Sequence, residues 1–237
     1  TGKFVNKTGK LLTVNSTGPD MTMGIELENL GTLTKTGAGN LVINSVLTTS
    51  GDVNVDAGTL DVNSTTFNWN GGALQGAGTL DIVGVTTFSI GGSATKTLGS
   101  FTLAPGTLTV GGTGILDING GTMNVAGLTT INSGATLKVS TATFNPSGTL
   151  NNNGLLDLRA GTLSLGAGGT HTGDFNTATG TVLQFTGGTH IMDSGSDTSG
   201  PGDIAFTGGT STYNTGSTYF ISGDTGINGG DAIFNIN

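Results

Sequence analysis

The chain has 237 residues, no Cys, 45 Gly and 44 Thr, with 9% charged residues and a formal charge of -8. Seven Lys plus Arg against fifteen Asp plus Glu repel a phosphate backbone or an anionic lipid surface overall, so no nucleic-acid partner is expected. The missing thiols exclude disulfides and thiolate metal sites and are compatible with export, and no apolar run approaches the roughly 18 residues of a membrane-spanning helix. With 10 Phe, 2 Tyr and 1 Trp, a core built around large side chains is not available. Thr, Val, Ile and Leu recur at regular places instead, which points to ordered β-structure around a thin aliphatic core.

In chain order, residues 4–14 read as an open strand edge guarded by Lys3, Lys7 and Lys10, and residues 21–30 carry helix formers enough for a turn at most. A unit Gly-x-Leu-x-Val then recurs, at Gly39 to Ile43, Gly51 to Val55, Gly58 to Val62, Gly78 to Ile82, Gly106 to Val110, Gly121 to Val125 and Gly161 to Leu165. In each unit apolar and polar residues alternate, so one face is buried and the other wet, and the leading Gly opens a corner. Units six to eight residues apart are the sides of one coil. A longer step of 20 to 21 residues, seen at Gly31, Gly51, Gly72, Gly92 and Gly112 and again at Gly188, Gly209 and Gly230, is the coil itself.

Three sides of about seven residues make a triangular turn, and the whole chain makes about eleven turns of 20–22 residues at the inter-strand spacing of about 4.8 Å, a rod roughly 50 Å long. The expected fold is therefore all-β: one parallel β-helix, or β-solenoid, over residues 1–237, with right-handed winding as the default for parallel crossovers. Inward ladders are expected at Leu60/Leu80, Val62/Ile82, Phe67/Phe88 and Phe185/Phe206, with Thr59, Asp61, Thr79 and Asp81 outward. Residues 193–203, with Gly195, Gly200 and Pro201, are expected to project as a loop. The start at Thr1 and the strand-like end at Asn237 suggest a processed protein or part of a longer chain.

The stretch Phe67-Asn68-Trp69-Asn70-Gly71-Gly72-Ala73-Leu74-Gln75-Gly76-Ala77-Gly78-Thr79-Leu80 and the Gly-Thr-Leu-x-Val units after it resemble the repetitive β-helical passengers of bacterial surface proteins. Autotransporters and filamentous-haemagglutinin-like adhesins are the families in question. The resemblance covers nearly the whole chain and implies a parallel β-helical architecture and a cell-surface location; a surface glycan or a protein receptor is the partner expected of an adhesive rod.

Little in the sequence points to catalysis. Polysaccharide lyases and glycosidases on this fold need clustered charged groups, whereas Arg159 is the sole Arg and has no Lys within twenty residues. His171 and His190 close the repeated run Gly-Gly-Thr-His 19 residues apart, so their rings are expected on adjacent coils, as a polar ladder or a partial metal site. Asp193, Asp197 and Asp203, with Asp224 and Asp231 further on, are candidate calcium ligands, though they fit no known acidic loop pattern. Thr-x-Thr pairs at Thr34, Thr95, Thr107, Thr141 and Thr210 share no single 20-residue register, which argues against the continuous array an ice-binding surface needs. The expectation is a non-catalytic, extracellular structural or adhesive solenoid without a cofactor. The alternative is a subunit that self-associates end to end into a filament through its terminal coils, Lys-bearing at one end and Asp-bearing at the other.

Overall fold

A computed structural model describes residues 2–82, 85, 87–93, 95–99 and 101–236. Among these residues the regular structure is all strand, and the strands pair in parallel. The first coil lays Lys3–Asn6 on a first face, Leu11–Asn15 on a second and Met21–Met23 on a third. Each strand pairs with its counterpart one coil on, as Lys3–Asn6 does with Glu26–Asn29 and Leu11–Asn15 with Thr32–Thr36. The second face is one continuous 11-stranded sheet, so the rod is a β-solenoid of about eleven turns. The third face is broken into a 4-stranded and a 3-stranded sheet before it joins the first.

That junction comes from two long strands, Val182–Met192 and Asp203–Tyr213, each of which runs along the third face, turns and continues on the first. The turn falls at Gly188 and Gly209, with φ of 70° and 69°, where a register shift separates the two halves. A Cβ on Gly209 would lie 2.2 Å from the Gly188 carbonyl oxygen. Stacked corners therefore require glycine twice over, for the left-handed backbone and for the close approach of the next coil.

The alternation read from the sequence holds. Leu60 pairs with Leu80, Phe67 with Phe88 and Phe185 with Phe206, and all six are buried together with Val62 and Ile82. Thr59 and Asp61 face outward opposite Thr79 and Asp81. Burial first, and then the charges of Asp81 and Asp20, raise the Asp61 pKa above the ordinary carboxylate value.

Three details differ from expectation. Coil steps range from 19 residues, between Asn152 and His171, to 24, between Leu74 and Leu98, because corners absorb extra residues without disturbing the sides. Residues 193–203 do not project. Asp197–Gly200 is a rung of the second face, paired with Asp174–Thr177 and Thr218–Ile221, and its Thr198 is fully buried. Residues 21–30 hold two strands rather than a turn alone, since pairing with the next coil overrides their local helix preference.

The core is less uniformly aliphatic than the composition suggests. One inward column of the first face runs Asn6, Asn29, Thr49, Trp69, Ile90, Val110, Ile131, Asn152, His171, Met192, Tyr213 and Phe234. Its amides form a ladder of their own. Asn6 Nδ2 donates to Asn29 Oδ1 at 2.8 Å, and Asn29 Nδ2 donates to Thr49 Oγ1 at 3.0 Å and the Asp52 carbonyl at 2.9 Å. Lys35 is also fully buried, its ammonium donating to the carbonyls of Thr36, Gly37 and Ala57 at 2.8, 2.8 and 3.1 Å. Burial lowers its pKa, and the three carbonyls replace the water that the charge has lost.

Candidate functional site

The sharpest polar cluster is the histidine pair. Inside the rod, His171 is register-paired with Asn152 on one side and Met192 on the other, while His190 pairs with Gly169 and Ser211. The two Gly-Gly-Thr-His runs thus sit two residues out of register. Because strand side chains alternate with period two, both rings still point inward and meet. His171 Nε2 lies 3.2 Å from His190 Nδ1, with ring centroids 5.5 Å apart, and Phe175 and Phe185 close the pair edge-on at 4.9 and 4.8 Å.

The hydrogen bonds assign the tautomers. The Asn152 backbone N–H donates to His171 Nδ1 at 3.3 Å, so that nitrogen carries no proton and Nε2–H donates to His190 Nδ1. The remaining proton then sits on His190 Nε2, which is buried and closes no hydrogen bond among the described residues. Burial holds the His171 pKa down to about 3, with the neighbouring His190 adding to the effect. Burial also holds His190 down to about 4, against the opposing pull of the Leu165 and Gly187 carbonyls. Both rings are neutral at physiological pH. Among the described residues, no group of three or more His, Asp or Glu side chains is placed to hold a metal ion. The lone pair and proton that face each other across the pair are already spent on one another.

The acidic candidates are dispersed. Asp193 accepts from Asn214 Nδ2 at 2.7 Å, Asp197 from the Thr218 hydroxyl, and Asp203 from the Asp224 backbone N–H at 2.8 Å. Asp231 pairs with Thr210 at the start of the last strand. Arg159 bonds Asp157 through Nε at 2.7 Å, and Asn176 Nδ2 reaches the other oxygen of that carboxylate at 2.9 Å. In the same outward column, Lys138 lies 2.9 Å from Asp117, whose second oxygen accepts from Ser140 at 2.6 Å. Neither this network nor the buried Lys35 emerges from a sequence search for catalytic spacings, because parallel stacking unites residues some twenty apart. A depression of about 310 Å³ along the corner by Gly134, Asn153 and Gly173 contains one titratable side chain, Asp174.

The outer surface of the first face has a different character. Its two outward columns run Thr66, Thr87, Thr107, Leu128, Thr149, Gly168, Thr189, Thr210 and, beside them, Thr48, Asn68, Ser89, Thr109, Thr130, Asn151, Thr170, Ile191, Thr212. Neither column contains a charged or aromatic side chain along this stretch. By contrast, the third face carries Asp61, Asp81 and Asp203, and the second carries Asp117, Lys138, Asp157, Asp174 and Asp197. The Thr-x-Thr pairs of the sequence are scattered over these faces. The hydroxyl-rich columns also draw on cross-coil pairings, such as Thr87 with Thr107 and Thr109 with Thr130.

No family model, curated protein or solved structure matches the chain.

Proposed function

We propose that the protein is a non-catalytic structural or adhesive rod of the cell surface or extracellular matrix. The observation that carries this reading is the uninterrupted second-face sheet of 11 parallel strands. The fold spends its residues on length and on long lateral faces, whose side chains are mostly short hydroxyls and amides. The absence of thiols and the low charge fit life outside the cell. Lateral recognition of a glycan or protein receptor is the adhesive form of this role. A glycan array and a binding assay on intact cells test it, and silence in both would remove the adhesive half of the proposal.

A second reading has its own support. Exposed large hydrophobics gather toward the two ends, as Phe4, Val5, Leu11, Met21 and Ile25 at one and Phe220, Ile227, Ile233, Phe234 and Ile236 at the other. A further parallel coil laid on either end would cover them and pair the free strand edge, and in this reading a second copy supplies it. Lys7 and Lys10 near the first end and Asp224 and Asp231 near the last give a head-to-tail contact complementary charge. Electron microscopy of the purified chain distinguishes the outcomes: filaments weakened by Lys7→Glu with Lys10→Glu support stacking, and monodisperse short rods sink it.

A further inference from the structure

We propose that the outer surface of the first face binds the ordered water of an ice surface. The two outward columns form a lattice, because consecutive rungs are about 4.8 Å apart along the rod and alternate residues of one strand are about 6.6 Å apart across it. Such a lattice presents hydroxyls at a regular repeat, as docking onto an ordered layer of water requires. The register that builds the lattice is one-for-one from Thr66/Asn68 through Thr87/Ser89 to Thr107/Thr109. It resumes from Thr189/Ile191 to Thr210/Thr212.

Composition favours water over other flat ligands. Charged groups hold tight hydration shells that do not fit a crystal lattice, and none interrupts the columns between Glu28 and Asp231. A threonine offers a methyl group, which restricts the orientations of first-shell water, beside a hydroxyl that both donates and accepts. Its χ1 is stiff, so little freedom is lost when the face docks. Leu128, Gly168 and Ile191 interrupt the hydroxyls and Asn68 and Asn151 replace them with amides, but all five are uncharged. A crystalline polysaccharide is the competing ligand. Sugar rings are held chiefly by aromatic platforms, which these columns lack.

The test is partition of the purified 237-residue chain into a slowly growing ice front, together with inhibition of ice recrystallisation. Thr109→Lys and Thr130→Lys each place a charge at mid-face, and Thr122→Lys places the same charge on the third face as a control. Far-UV circular dichroism establishes that each variant retains its strands, and either mid-face variant suffices if the other fails to fold. The expected result is enrichment of wild type and Thr122→Lys in ice. Each mid-face variant falls to the level of an inert protein, with at least an order of magnitude more protein needed to stop recrystallisation. Wild type excluded from ice, equal loss in the control, or retention on crystalline cellulose or chitin with no effect on ice would overturn the proposal. None of these outcomes bears on the cell-binding assay that tests the rod as an adhesin.

Discussion

Acidification from pH 7 to pH 5 acts chiefly through the histidine pair, since the chain has 2 His, no Cys and otherwise no side chain whose ordinary pKa lies in that interval. In the unfolded chain both imidazoles take up protons below about pH 6.5. In the folded rod burial holds His171 to about 3 and His190 to about 4, so neither ring charges above pH 5. The unfolded state then binds more protons than the native one. Stability therefore falls as pH drops through 6.5, and it keeps falling until the folded values are reached. Each ring accounts for a loss of about 2 kcal/mol between pH 7 and pH 5, roughly 4 kcal/mol for the pair. Urea unfolding at both pH values, followed by far-UV circular dichroism, measures the loss. The control is His171→Asn with His190→Ser, which copies onto each site the residue of an adjoining rung, Asn152 and Ser211. That double variant should be nearly indifferent to pH over the same range. Equal stability of wild type at both pH values, or an undiminished loss in the double variant, would refute the burial argument.

Packing and corner geometry yield further expectations. Phe88→Ala removes a fully buried ring that lies 5.0 Å from Phe67 and 6.3 Å from Trp69, and it should cost about 3–5 kcal/mol in urea unfolding. Gly51→Ala would put a Cβ 1.8 Å from the Gly31 carbonyl oxygen, whereas Gly18→Ala meets nothing within 4 Å. The first should lower the thermal midpoint sharply and the second should leave it unchanged. Asn29→Ala removes one acceptor of the buried Asn6 amide and the donor to the Thr49 hydroxyl and the Asp52 carbonyl, while Asn6 keeps the Thr32 carbonyl and Thr49 the Gly51 carbonyl, so the total cost should be about 1–3 kcal/mol. Lys138→Met breaks a partly exposed ion pair with Asp117, so its effect should stay below about 1 kcal/mol and shrink in high salt.

Sequence periodicity carried the inside and outside of each strand but not the identity of its neighbours. Leu60, Leu80, Phe67 and Phe88 were legible as ladders because apolar residues sit at a constant offset there. Lys35 was not, since a lysine at an inward position can be recognised only when the carbonyls that solvate it, from its own corner and from Ala57, are in place. The histidines were legible as neighbours through the shared Gly-Gly-Thr-His run, yet their register was not, because a corner of different length slides one run two residues past the other. The expected loop at 193–203 failed for a related reason. Its Gly and Pro mark corners, while inward Thr198 is a polar residue occupying a core position.

Composition and the spacing of Gly-x-Leu-x-Val units were enough to determine a thin, parallel, repeating β-rod, because in a solenoid each side is a local pattern and each coil repeats it. Everything that depends on lateral register was decided by the tertiary structure. The residue opposite any outward Thr depends on how many residues the intervening corners absorb, and that number varies from coil to coil. Only the stacked coils assemble Thr87, Thr107, Thr109 and Thr130 into an uncharged face and bring His171 against His190. Parallel pairing is non-local, and its registry is settled by the hydrogen bonds each coil makes with the next.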